Sequence, residues 1–334
     1  MRKNARALIL AGLATSCGGG GSPASPSGGG TPTPPVTLGA VATIRGVVFY
    51  DENGNGSADA DEVVRLPEAT VTLGGRSGST DIAGRFEIPE VPAGAPHAEV
   101  VATSLPPYFV FGTAPSVPVP PPDGFELALA VTLPVGANRR NVYMAFGDSI
   151  TVGDGASGRR GYRGELQDEL RGWFGQAELV NEGVEGTDSD VGADRLPDSL
   201  AREQPAFTLI HYGTNDWNGF GCRTLCGTTD ALRRMVRACR AASSLPVVAT
   251  LIPANPAYES RFASARNAWI DATNVQIRAM AAAEGVTLAD MNAAFKNEDP
   301  SLEPLFSDHI HPNDRGYAIM AAEFFRALTA RRSR

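Results

Sequence analysis

The chain has only four cysteines and four histidines, and its acidic side chains outnumber the basic ones by 37 to 29. Each shortage excludes something. A net charge of −8 argues against a nucleic-acid partner, because neutralising phosphates takes a basic surface. Beyond Cys17, the cysteines stand at 222, 226 and 239, with no fourth ligand and no suitably spaced histidine, so a zinc site is not expected. The apolar run at residues 7–16 is ten residues long, too short for a hydrocarbon core of about 30 Å. Apolar residues themselves are not scarce: 43% hydrophobic against 20% charged excludes disorder for most of the 334 residues. Length and composition together suit two folded domains.

The 37 glycines and 25 prolines exceed the usual share, and the excess is local. Arg2, Lys3 and Arg6 precede the short apolar run, which reads as a signal peptide. Leu13-Ala14-Thr15-Ser16-Cys17 resembles the lipobox of bacterial lipoproteins, with Ala14 where that motif prefers leucine; the resemblance implies that Cys17 is acylated and becomes the mature N-terminus. Ordinary cleavage beside an incidental cysteine is the alternative. Every residue from 18 to 35 is Gly, Pro, Ser, Thr or Ala, a composition that builds no core. Residues 1–17 are therefore expected to be a leader, and 18–39 a tether reaching about 20–25 Å.

Residues 40–136 hold four basic and twelve acidic side chains, which makes a cation their natural partner. The β-branched and aromatic stretch 41–50 predicts a strand, and shorter runs at 69–73, 84–88, 99–102 and 125–133 predict others. No helical period intervenes, so a small β-sandwich is expected. Between the first two strands lies DENGNGSADADE, residues 51–62. Asp51, Asn53, Asn55, Asp59 and Glu62 place side-chain oxygens at positions 1, 3, 5, 9 and 12; Gly56 stands at the sharp turn, and Ser57 can offer its carbonyl. This is the spacing of an EF-hand calcium loop between strands instead of helices. An Asn-Gly turn with solvated acids is the plainer reading. Together with Thr80-Asp81 and Gly84-Arg85-Phe86, the segment resembles the calcium-binding B-type repeats of bacterial surface adhesins, related to the prealbumin-like sandwich. That resemblance implies a stalk or spacer with structural calcium.

From 137 to 334 the pattern alternates. Short apolar runs at 141–146, 177–181, 207–212, 246–252 and 286–289 suit buried parallel strands. Between them lie amphipathic helices, as in Tyr162, Leu166, Leu170, Trp173 and Phe174, or in Leu232, Met235, Val236 and Cys239. Strands alternating with helices predict a three-layer α/β/α domain with a parallel sheet, which binds ligands beyond the carboxyl ends of its strands.

At those ends stand Gly147-Asp148-Ser149-Ile150, Asn181-Glu182-Gly183-Val184-Glu185-Gly186 and Gly213-Thr214-Asn215-Asp216, and near the C-terminus Asp308-His309-Ile310-His311-Pro312. Serine, histidine and aspartate can form nucleophile, base and orienter, while Gly186 and Asn215 can donate to an oxyanion. Singly these motifs are weak. In this order, at one topological edge, they are similar to the SGNH, or GDSL, hydrolases, over nearly all of residues 140–330. No Gly-x-Ser-x-Gly elbow surrounds Ser149, which argues against the ordinary α/β-hydrolases.

The resemblance implies a flavodoxin-like hydrolase fold and a serine esterase with no catalytic cofactor. Ser149 is then the nucleophile, His311 the base and Asp308 its orienter; the backbone N–H groups of Ser149 and Gly186 and the Asn215 amide form the oxyanion hole. His309 competes with His311 for the base but lacks the three-residue spacing to Asp308. His211 is expected to be a satisfied histidine beside the site, Asp216 structural and Cys239 a buried thiol, with Cys222 and Cys226 the expected disulfide. The whole reads as an exported, lipid-anchored monomer of the bacterial envelope acting on short-chain, carbohydrate or lipid esters. The alternative is an inactive surface-binding lipoprotein. Residues 217–227 and 253–261 are expected to rim the pocket.

Overall fold

The computed structural model describes residues 39–218, 227–258 and 260–331. Cys17, Cys222 and Cys226 lie outside them, as does almost all of the leader and tether. Seven strands precede residue 136: β1 (Val41–Tyr50), β2 (Thr70–Leu73), β3 (Arg76–Ser79), β4 (Arg85–Pro92), β5 (Ala98–Val100), β6 (Val110–Phe111) and β7 (Leu127–Thr132). They divide into a four-stranded sheet, β4-β1-β7-β6, and a three-stranded sheet, β3-β2-β5. Five of the seven match apolar runs in the sequence. Strand β3 is polar and exposed, so no apolar pattern marks it; its signal is Gly74-Gly75, whose φ values of 56° and 77° make the tight turn that folds β3 back on β2. Strand β6 has two residues, below any pattern's reach.

The second half forms a five-stranded parallel sheet from β8 (Arg139–Gly147), β9 (Glu178–Gly183), β10 (Pro205–His211), β11 (Leu245–Ala249) and β12 (Thr287–Ala289), in the order β12-β11-β10-β8-β9. Every residue of β10 and β11 is buried, as strands covered on both faces require. Helices α1 (Ser149–Val152), α2 (Arg163–Phe174), α3 (Ser189–Glu203), α4 (Thr214–Asn218), α5 (Thr228–Ala241), α6 (Ser260–Glu284), α7 (Met291–Glu298) and α8 (Asp314–Thr329) fill the connections. The periodic positions Leu166, Leu170 and Phe174 of α2 and Leu232, Met235, Val236 and Cys239 of α5 are buried. Cys239 is a free thiol, and burial pushes its pKa up to about 12. Strand order reverses beside β8, where Gly147 pairs with Gly183 on one side and His211 on the other. That reversal opens a crevice at the carboxyl ends.

The two halves share one hydrophobic core, which runs from Ile44, Val71 and Ile88 through Phe109 to Tyr143, Phe174 and Phe207. Phe109 packs against Tyr50 at 5.5 Å and against Phe174 at 5.8 Å between ring centres. The Tyr108 hydroxyl donates to the Pro246 carbonyl at 2.5 Å and accepts from the Thr287 N–H at 3.2 Å. Pro246 is the second residue of β11 and Thr287 the first of β12, so these contacts cover the amino ends of the sheet, opposite the crevice. The Asn141 amide, at the base of β8, donates to the Glu52 carboxylate at 2.9 Å. Apolar residues announce burial but not the partner, so this junction is invisible in the sequence.

Candidate active site

Gly147 ends β8, and the Asp148 carboxylate caps the turn by accepting the Ile150 N–H at 3.0 Å, which places Ser149 at the head of α1. Far along the chain, Asp308 builds a second turn. One carboxylate oxygen accepts the N–H groups of Ile310 at 2.8 Å and His311 at 2.7 Å, and the other lies 2.7 Å from His311 Nδ1. With the carboxylate at Nδ1, that nitrogen carries the proton, and Nε2 faces Ser149 Oγ at 2.9 Å. Ser149, His311 and Asp308 are thus brought into one hydrogen-bonded relay although 162 positions separate Ser149 from His311. Burial of Asp308 favours its neutral form, but the hydrogen bonds from the His311 ring and from the backbone of His311 and Ile310 outweigh it and hold the carboxyl below its usual range. An ionised Asp308 is what a charging imidazole ring needs beside it.

The other motifs converge on the same crevice. The Asn215 amide donates to the Thr187 carbonyl at 2.9 Å, which ties the turn after β10 to the turn after β9; its second N–H is the donor it can offer an oxyanion. Gly186 sits at φ 70°, and a Cβ there would meet nothing within 4 Å. The left-handed backbone there is one that glycine adopts without strain. Asp216 accepts from the Ser189 N–H at 2.8 Å, the Ser189 hydroxyl at 2.7 Å and the Thr228 hydroxyl, so it joins the starts of α3, α4 and α5. Beneath the strand ends, Arg195 donates to the carbonyls of Gly147 at 3.0 Å and Glu182 at 2.6 Å.

The buried charges around the relay carry shifted pKa values. Asp148 is fully buried, and desolvation raises its carboxyl to about 7 against the pull of the Ile150 N–H and of His311. His211 is fully buried on β10, with no hydrogen-bond partner for either ring nitrogen among the described residues; burial lowers it to about 4, which keeps it neutral. It is therefore not the satisfied histidine its motif suggests. His309 is half exposed, with Nδ1 at 3.7 Å from Asp308 and no place in the relay. His97 lies in the first half, where Nδ1 is 3.1 Å from the Ala114 carbonyl.

Two contributors carry no motif. Arg266 of α6 is almost fully buried; its guanidinium donates to the Thr214 carbonyl at 2.8 Å, and burial lowers its pKa to about 10 against the opposing pull of Asp148 and Asp308. Asn255 donates through its backbone to the His309 carbonyl at 3.0 Å and through its amide to the Asp308 carbonyl at 3.1 Å, so residues 253–258 are tied to the turn that carries the base. A buried arginine and a loop asparagine gain their roles from packing alone. Residues 219–226 of the other expected rim lie outside the described residues.

The acidic loop of residues 51–62 is wound on its own backbone. Asp51 accepts the N–H groups of Gly54, Asn55 and Gly56 at 2.7–3.1 Å, and Glu62 those of Glu52, Asn53 and Asp59 at 2.7–3.2 Å. The amides of Asn53 and Asn55 donate to Asp59 at 2.8 and 2.7 Å. The three carboxylates have no basic partner among the described residues, and Asp51 and Glu62 are nearly buried. By chemistry the donor set suits a hard cation. No three His, Cys, Asp or Glu side chains among the described residues converge as metal ligands, however, so any ion would have to draw these carboxylates inward.

Comparison with known proteins places residues 145–319 within the GDSL-like lipase/acylhydrolase family model. Solved structures that resemble the chain include a lipase/acylhydrolase from Enterococcus faecalis (21% identity, 58% of this chain and 100% of that one, TM-score 0.49). Another is a lipolytic protein of the G-D-S-L family from Veillonella parvula (19%, 55% and 94%, 0.46). A variant of an acetyl xylan esterase from Geobacillus stearothermophilus is similar at 20% identity (59% and 98%, 0.48). No curated protein sequence matches the chain.

Proposed function

Because the chain belongs to the GDSL-like lipase/acylhydrolase family and so hydrolyses ester bonds with a serine nucleophile, we propose that Ser149, His311 and Asp308 carry the reaction. Ser149 Oγ attacks the ester carbonyl while His311 Nε2 takes its proton. The tetrahedral oxyanion is met by the backbone N–H groups of Ser149 and Gly186 and by the Asn215 amide. The intermediate collapses as His311 returns the proton to the leaving alcohol. Water, activated by the same nitrogen, then frees the acid from Ser149. Asp308 stabilises the ring each time it charges. The observation that supports this most is the unbroken relay, with contacts of 2.9 and 2.7 Å. Turnover of p-nitrophenyl acetate tests it against an inactive binding protein, for which no hydrolysis would be seen. Asn215→Ala should lower kcat by about 10²–10³, the usual cost of one oxyanion donor. A loss below tenfold would remove Asn215 from that role.

The substrates we propose are short-chain, carbohydrate or lipid esters outside the cytoplasm, met by a monomer tethered through Cys17. Cys17→Ser should release the protein from membranes of its host or leave it unprocessed, since stable anchoring takes more than one acyl chain. Equal partitioning of wild type and variant would reject the tether.

We also propose that residues 40–136 are a prealbumin-like sandwich and spacer for the hydrolase of residues 137–334, and that the loop of Asp51, Asn53, Asn55, Ser57, Asp59 and Glu62 takes one structural calcium ion. The support is the carboxylates of Asp51, Asp59 and Glu62, which have no basic partner among the described residues, two of them nearly buried. An ion that binds only the folded chain raises its stability by mass action. Millimolar calcium should therefore raise the melting temperature of the wild type and not that of Glu62→Gln. Calorimetry without binding heat at that concentration would reject the site.

A further inference from the structure

Beside the catalytic histidine stands an aromatic pair that the reaction does not use. The rings of Tyr258 and His309 lie 5.5 Å apart between centres and only 27° from parallel, and the His309 ring meets His311 edge-on at 6.4 Å. Tyr258 is 48% exposed. The pair is nonetheless held in place. Asn267 brackets Ala254, accepting its N–H at 2.8 Å and donating to its carbonyl at 2.9 Å. Asn255 ties the same segment to the Asp308 turn, and its side chain accepts the Ala257 N–H at 3.0 Å, a tight turn that presents Tyr258.

The position of this pair selects what it can bind. His311 hands its proton to the leaving alcohol, so the alcohol half of the ester passes on the His311 side of the serine, while the oxyanion donors stand on the turns after β9 and β10. An aromatic face carries negative charge density and attracts polarised C–H groups laid flat on it. A sugar ring presents such a face and keeps its hydroxyls at the rim, in water. A fatty chain gains instead from enclosure in an apolar cleft, which a half-exposed ring pair does not supply.

We propose that the Tyr258–His309 stack is the subsite for a sugar ring forming the alcohol half of the ester, so that the substrates are acylated oligo- or polysaccharides. This rests on the serine esterase reading. Its test compares kcat/KM of the full chain on acetylated xylo-oligosaccharides, on p-nitrophenyl acetate and on lysophosphatidylcholine. Tyr258→Ala should lower the value for the acetylated sugar roughly tenfold more than that for p-nitrophenyl acetate, chiefly through KM, as the loss of one stacking contact implies. Tyr258→Trp should restore the sugar preference. An equal fall on both acetates, a selective fall on lysophosphatidylcholine, or a wild type inert towards the acetylated sugar would each overturn the subsite. Failure of the esterase reading itself would look different: no ester would be turned over, or Ser149→Ala would remain active on all of them.

Discussion

Ser149→Ala should reduce ester turnover by roughly 10⁴-fold or more while leaving the melting temperature near that of the wild type. The side chain lost is small and almost buried, and among the described residues its only polar contact is the 2.9 Å bond to His311, so the fold has little to lose. His311→Ala should cost nearly as much, and the double variant hardly more, since nucleophile and base act as one unit. His309→Ala should lose far less than His311→Ala on p-nitrophenyl acetate, because Asp308 is 2.7 Å from Nδ1 of His311 and 3.7 Å from that of His309. The Asp308 carboxyl is held below its usual range by the hydrogen bonds it accepts, so it stays ionised beside His311 well into acid. For the same reason its contribution to stability is present above the ordinary carboxylate range and is lost only as pH falls through the lowered value. If Ser149→Ala kept wild-type turnover, the mechanism would fall. If His309→Ala were dead and His311→Ala active, the base would have to be reassigned.

Phe109→Ala should cost about 3–5 kcal/mol, the usual range for removing a buried aromatic ring, and lower the melting midpoint by about 5–15 °C. The ring is 3% exposed and lies between Tyr50 of the first half and Phe174 of α2. Because one hydrophobic cluster crosses the junction, far-UV circular dichroism and residual esterase activity should be lost along a single curve. The effect should thus reach the active site at the far end of the sheet although no residue there is touched. Two separate transitions, with only one shifted by Phe109→Ala, would show that the halves unfold independently.

Much of the architecture could be read from local pattern. Apolar runs mark all five strands of the parallel sheet, and helical spacing marks α2 and α5, because a segment covered by protein must be apolar on the covered side. The junction at Phe109 could not be read this way, since its aromatic residues look like those of any core. Nor could β3, whose polar, exposed edge position needs no apolar residue, or β6, which is too short.

The amino-acid order by itself determined which residues stand at the carboxyl ends of the strands, because glycine, asparagine and aspartate at those points are demanded by turns and caps a few residues long. It also determined the pairing of Asp308 with His311, since three positions within one turn bring them together. Only the tertiary structure decided the rest. Ser149 meets His311 because the strand order places β8 between β10 and β9 and the segment before α8 returns over its end. Asn215 reaches Thr187 because β10 and β9 flank β8 in a register that levels their ends. Arg266 and Asn255 enter the site because α6 and the segment before it fold beneath and beside these turns. Contacts between side chains far apart in sequence depend on sheet order and packing depth, which no short stretch of residues encodes.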